Sequence, residues 1–139
     1  MQVRVYYEDT DHGGVVYYAN YLKFMERGRT ELLRQYGLDL QHLAESYGIQ
    51  FAVTSANIEY PAPAKFNDLL EVESQIIHLH GARIVFKQTV WRLNADTGQH
   101  EQKLAVADIH LACINPQQKA QRIPKTIIES LTCEEKHYV

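Results

Sequence analysis

The chain has 139 residues, 45% hydrophobic and 22% charged, with a formal net charge of −3. That length suits one domain over 1–139 with a real core, and the mild acidity without any block of Lys or Arg argues against a partner held through nucleic-acid phosphates. No apolar run is long enough to span a bilayer, the start MQVRVYYEDT lacks the character of a signal peptide, and Cys113 and Cys133 have no metal-ligand spacing; a soluble cytoplasmic protein with reduced thiols is expected.

Val3 and Val5 alternate with Gln2 and Arg4, the period of a half-buried strand, and the apolar character runs on into Tyr6 and Tyr7. Glu8 to Gly14 ends it with acids and glycines, which form turns. From about Tyr17 the period changes: Tyr21, Met25, Gly28, Leu32 and Tyr36 share one face of a long helix, and Gly37 stops it. Gly28 costs about 1 kcal/mol relative to alanine inside a helix, which close packing against another backbone would offset. A weaker helix is predicted from Asp39 to Tyr47, ended by Gly48.

Beyond Gly48 the texture is strand-like. Ile49 to Tyr60 is rich in β-branched and aromatic residues until Tyr60-Pro61-Ala62-Pro63 interrupts it. Leu70, Val72 and Ile76 alternate with Glu71, Glu73 and Gln75. Ile84, Phe86 and Val90 alternate with Lys87 and Thr89. After a turn over Asn94 to Gly98, Ala105, Ala107, Ile109, Leu111 and Cys113 share a face. A short helix is expected over Lys125 to Leu131 and a flexible tail over 132–139.

This order predicts an α+β fold, a curved antiparallel five-stranded sheet wrapped around one long helix. Val85, Trp91, Leu93, Leu104 and Val106 fall on the outward face and are apolar enough to call for a partner, so a homo-oligomer is expected.

The densest chemistry lies in Tyr6 to Tyr21, YYEDTDHGGVVYYANY. Gly13 and Gly14 allow a tight turn and close approach of another molecule. The following helix start presents unpaired N–H groups and the positive end of the macrodipole to a carbonyl oxygen. A carboxylate within reach would serve acyl transfer as base or nucleophile. Other chemistries fit in part. Asp9, Asp11, Gly13 and Gly14 mimic a calcium loop, but Asn20 stands where its bidentate Glu belongs. The Asp-x-Asp pair suggests phosphoryl transfer, for which an antiparallel scaffold is wrong. Service as turn and cap residues weighs as much as catalysis on local grounds. His78, His80 and His110 share no metal spacing and read as surface histidines; Trp91 reads as packing. Arg83, Lys87 and Lys65 read as solvated cations before they read as phosphate contacts.

The run Val3 to Glu31, VRVYYEDTDHGGVVYYANYLKFMERGRTE, resembles the N-terminal signature of hotdog-fold acyl-CoA thioesterases of the 4-hydroxybenzoyl-CoA thioesterase family, most of all the bacterial Tol-Pal-associated branch. The resemblance continues through Tyr60-Pro61-Ala62-Pro63-Ala64 and Ile123-Pro124-Lys125. It implies a helix wrapped by a curved sheet, hydrolysis of an acyl-CoA thioester without cofactor or metal, and dimers or dimers of dimers, a homotetramer, with sites at the subunit interface. The family's catalytic carboxylate falls on Asp11, its carbonyl-polarising backbone N–H on Tyr18, and a nearby tyrosine on Tyr7. Gly14, Val16 and Tyr17 fall on substrate-binding positions, and Asp9 on a loop-fixing one. The branch commonly has histidine where Tyr18 stands; a backbone role survives that change and a side-chain role does not. His12 reads as a solvated loop residue. A non-catalytic hotdog module that binds acyl-CoA or a protein partner is the rival from another class.

Overall fold

The computed structural model describes residues 1–132. The expected tail falls outside them except for Thr132, which closes the last helix with its N–H and Oγ1 on the Ile128 carbonyl, at 3.0 and 2.8 Å. Five strands form one antiparallel sheet: β1 (Gln2–Arg4), β2 (Gln50–Glu59), β3 (Leu69–His80), β4 (Arg83–Leu93) and β5 (His100–Ile114). Their order is β1-β3-β4-β5-β2, so β1 and β2 are the edges. Three helices accompany them, α1 (Tyr18–Gln35), α2 (Leu40–Tyr47) and α3 (Lys125–Leu131). No described helix is long and apolar enough to cross a membrane.

Local chemistry explains the boundaries. Gly37, at φ +81°, turns the chain out of α1. Asp39 caps α2 by accepting the Gln41 N–H at 2.8 Å, and Gly48, at φ +66°, ends it in the left-handed region. Asn94 builds the β4–β5 turn by accepting the N–H groups of Asp96 and Thr97 on its Oδ1, at 2.9 and 3.0 Å.

The apolar stripe of α1 lies on the inner face of the sheet. Tyr21, Phe24, Met25, Leu32 and Leu33 join Leu70, Val72, Ile84, Phe86, Val90 and Ile109 in one core, which Ile123, Ile127 and Leu131 close at α3. At the crossing, a Cβ on Gly28 would stand 2.8 Å from Val72 Cγ1 and 2.9 Å from Ser74 Oγ. The close approach expected at Gly28 is therefore real, although the neighbours are side chains of β3. Arg29 is buried beside it. Its Nη1 donates to Gln88 Oε1 at 3.0 Å, and Gln88 Nε2 donates to the Met25 carbonyl and to Ser74 Oγ, each at 2.8 Å. Burial holds the guanidinium below its ordinary pKa, with Glu26 opposing.

Two expectations change. The first strand ends at Arg4, and Tyr7 belongs to a 3-10 turn over Tyr7–Asp9, because Asp9 Oδ2 and the Tyr6 carbonyl fold the chain back on itself. The outward apolar set changes at one member: Leu104, 0% exposed, joins the core, whereas Val85, paired with His78 and His110, stays on the outer face although it is 5% exposed. Val90 faces Ala105 and Trp91 faces Lys103, so Leu104 is an inserted residue, and the bulge turns it into the core. Trp91 is roofed by His100, stacked at 4.4 Å, and by the Lys103 ammonium at 5.2 Å. The exposed large apolar side chains lie elsewhere. Tyr17 at the N-cap of α1, Tyr18 and Leu22 on its first turns, Val53 on β2 and Tyr60 just after it are among them.

Candidate active site

Residues 10–16 form a tight hairpin in front of α1. Thr10 bridges Val16, the Asp11 N–H donates to the Val15 carbonyl at 2.9 Å, and the Gly14 N–H donates to the Asp11 carbonyl at 3.1 Å. Gly14 takes φ +78°, which side chains resist, so glycine is needed there. Asp9 anchors the base of the hairpin: its Oδ2 accepts the Tyr6 N–H at 2.9 Å, and its carbonyl accepts Tyr17 N–H at 3.1 Å and Asn20 Nδ2 at 2.8 Å. Asp9 thus does the loop-fixing work that the resemblance gave it.

Asp11 sits at the exposed tip. Its Oδ1 accepts the Gly13 N–H at 2.8 Å, the short-range turn of an aspartate beside glycine, whereas no described residue donates to its Oδ2. The turn reading and a reactive carboxylate are therefore compatible: one oxygen fixes the rotamer and the other is left free.

The hairpin leads directly into the helix. Tyr17 is the N-cap of α1, with ψ 141° and no side-chain cap, and among the described residues the N–H groups of Tyr18 and Ala19 have no acceptor. They form the positive end of an 18-residue helix. Opposite them runs the segment after β2, pinned by the Val16 N–H on the Ala64 carbonyl at 2.9 Å and by the Ala64 N–H on the Tyr21 hydroxyl at 3.0 Å.

Between hairpin, helix start and this segment lies a cavity of about 300 Å³ lined by Asp11, Val15, Val16, Tyr17, Tyr18, Tyr21 and Tyr60–Pro63. Aromatic rings run along it: Tyr18 meets Tyr60 at 5.0 Å between centroids, and Tyr60 meets Tyr21 at 5.2 Å. Burial raises the pKa of Tyr60, with Tyr18 adding to it, and burial likewise raises that of Tyr21 against the opposing effect of the Ala64 hydrogen bond. Both phenols stay neutral near pH 7.

Of the residues expected from sequence, Asp11, Val16, Tyr17 and Tyr18 line this one cavity. Gly14 shapes the hairpin without lining it. Tyr7 stands apart, stacked on Phe66 at 3.9 Å between centroids, in a neighbouring open cleft with Glu8, Thr10, His12, Asn20 and Lys23. Asp11 and Tyr17 line both spaces and so sit at their junction. Sequence reasoning missed Tyr60, Pro61 and Pro63 as walls. Their signal was present as a strand interruption, because a segment with two prolines leaves the sheet and is free to fold over the helix.

A separate group on the outer face, Glu71, Glu73 and His100, brings possible metal-ligand atoms within 4.8 Å of one another. His100 Nε2 is 2.9 Å from Glu71 Oε1 and its ring lies on Trp91, which accounts for the group as a hydrogen-bonded pair on an aromatic platform.

A long helix wrapped by a five-stranded antiparallel sheet in this order is a hotdog fold. Residues 13–98 match the thioesterase superfamily model, and the chain belongs to that family. It is 40% identical over 127 residues to the acyl-CoA thioester hydrolase YbgC of Escherichia coli O6:H1, covering 91% of this chain and 90% of that protein. The crystal structure of a probable thioesterase from Bartonella henselae is 38% identical with a TM-score of 0.79, covering 89% of this chain and 97% of the other. The 4-hydroxybenzoyl CoA thioesterase of Pseudomonas sp. strain CBS-3 shares the fold at a TM-score of 0.84 and 24% identity, covering 94% and 96%.

Proposed function

We propose that the chain hydrolyses an acyl-CoA thioester to a carboxylic acid and free coenzyme A. Water adds its oxygen to the carbonyl carbon, the carbon–sulfur bond breaks, and the water proton ends on the thiolate of coenzyme A. In this reading Asp11 Oδ2 is the working oxygen, as base toward water or as nucleophile toward the carbonyl. The Tyr18 N–H polarises the thioester oxygen, where a preformed donor at a helix start stabilises the charge that develops. Val16 and Tyr17 line the acyl pocket, Gly14 sets the hairpin, and Tyr7 borders the approach. The observation that carries the proposal is that Asp11, with one free carboxylate oxygen, and the uncapped start of α1 line the same cavity.

One domain over 1–139, a cytoplasmic location and association as a homodimer or dimer of dimers, a homotetramer, belong to the same proposal. A reduced setting agrees with the free, buried thiol of Cys113. Association is supported by β2, a 10-residue edge strand hydrogen-bonded to β5 on one side, with Val53 52% exposed.

A thiol-release assay over a panel of acyl-CoA esters tests the reaction. Release by the wild type and its loss in Asp11→Asn is the expected result. Saturable acyl-CoA binding with no release would overturn it in favour of a binding module.

A further inference from the structure

The hairpin that carries Asp11 and the helix that carries the Tyr18 N–H meet without the usual cap. A Ser, Thr, Asp or Asn at residue 17 would accept an N–H of the first turn on its side chain. Tyr17 makes no such contact, and the Asn20 N–H bends back to the Tyr17 carbonyl at 2.9 Å. The junction is held from outside the helix instead. The Asp9 carbonyl accepts the Tyr17 N–H at 3.1 Å and the side-chain amide of Asn20, through Nδ2, at 2.8 Å. Asp9 is itself fixed, its N–H on the Tyr6 carbonyl at 3.0 Å and its Oδ2 accepting the Tyr6 N–H at 2.9 Å.

Position gives this bond its consequence. Asp9 lies two residues before Asp11, and Asn20 lies two residues after Tyr18. The Asn20 amide therefore ties the arm bearing the carboxylate to the turn bearing the free donor. On the hairpin's other arm the Val16 N–H goes to the Ala64 carbonyl, on the opposite wall. Asn20 is half-buried and lines the open cleft, but not the cavity that Asp11 shares with Tyr18. It also donates where a cap accepts. A capping oxygen at residue 17 would steady the same turn only by taking up N–H groups there and leaving an acceptor where the thioester oxygen must lie. A donor on Asn20 steadies the turn and leaves the Tyr18 and Ala19 N–H groups open.

We propose that Asn20 is a positioning residue for the hydrolysis: its amide, clamped on the Asp9 carbonyl, sets the placement of Asp11 against the Tyr18 N–H. The inference rests on the reaction proposed above and on the roles given there to those two groups. Acyl transfer is sensitive to such a tether, because misplacing the reacting groups by about 1 Å costs about 10²-fold in rate.

Thiol release and urea denaturation of Asn20→Ala and Asn20→Asp, beside the wild type, test the proposal. The two variants share only the loss of the donor. Alanine removes the side chain, whereas aspartate keeps its shape and adds a negative charge that favours a helix start. A loss of kcat common to both therefore follows the donor and not the stability of the helix. In both, kcat is expected to fall about 10–100-fold with KM within about threefold of wild type. A merely structural Asn20 would move the urea midpoint and leave kcat per folded molecule unchanged, and that result overturns the proposal. Amide exchange at Tyr17, the other donor to the Asp9 carbonyl, is expected to quicken about tenfold in both variants, and unchanged exchange overturns it as well. A wild type that releases no thiol from any acyl-CoA would sink the hydrolysis reading and this proposal with it. A wild type that releases thiol, beside variants of unaltered kcat, sinks this proposal alone.

Discussion

The middle and the start of α1 solve opposite problems. Around Gly28 the helix is pressed against β3 with no room for a methyl group, and the polar groups there are joined through Gln88, which bonds Arg29, Ser74 and the Met25 carbonyl. Three turns earlier the same helix begins without a side-chain cap, its first N–H groups unaccepted, beside a carboxylate with one free oxygen. A buried polar group is tolerated only when it is satisfied, so the middle of the helix is fixed. An exposed one is free to serve a ligand. The difference teaches that polarity alone does not mark a site; unsatisfied polarity on a rigid support does.

Substitutions in the two regions should therefore separate activity from stability. The largest effect is expected from Asp11→Asn, which keeps an Oδ1 acceptor for the Gly13 N–H and hence the hairpin, but has no basic oxygen. Thiol release should fall by about 10²–10⁴-fold with an unchanged melting temperature. Gln88→Leu should do the reverse, removing three hydrogen bonds around a buried guanidinium. Urea denaturation should show a loss of about 3 kcal/mol, with turnover per folded molecule retained. Gly28→Ala gains helix propensity but must displace Val72 and Ser74, and we expect a net loss of about 1–2 kcal/mol in the same experiment. A more stable variant would show that the crossing is looser than described. Tyr21→Phe joins the two regions, because it leaves the buried Ala64 N–H without its acceptor. About 1 kcal/mol of stability should go, and KM should rise more than kcat falls, since the Tyr60–Pro63 wall loses its pin.

Much of this was legible in the chain. The helix face through Tyr21, Met25, Gly28 and Leu32 is periodic, and the three long antiparallel strands alternate, so a sheet around a helix followed from spacing. What spacing could not carry was non-local. Arg29 reads as a surface cation until Gln88, 59 residues away, is placed against it. Leu104 reads as outward because alternation has no sign for the bulge that turns it inward. In the site, Asp11, Val16, Tyr17 and Tyr18 were found together because they are neighbours in sequence. Tyr60 was missed as a wall because the contact that folds its segment over α1, Ala64 to Tyr21, spans 43 residues. Tyr7 was read on a strand that ends earlier than its apolar pattern, and it shares the open cleft with Asp11 from a 3-10 turn instead.

The central claim is that a backbone N–H at the start of α1, and no side chain at that position, polarises the thioester. Tyr18 is the first helical residue, where proline is well tolerated, and Tyr17 already has the extended φ −70° and ψ 141° that precede proline comfortably. Tyr18→Pro therefore deletes the N–H without breaking the helix, and Tyr18→Phe keeps it while removing the hydroxyl. Thiol release measured side by side should fall by about 10²–10³-fold in the proline variant and stay within about threefold of wild type in the phenylalanine variant. A proline variant of native stability that still turns over at the wild-type rate would contradict the account.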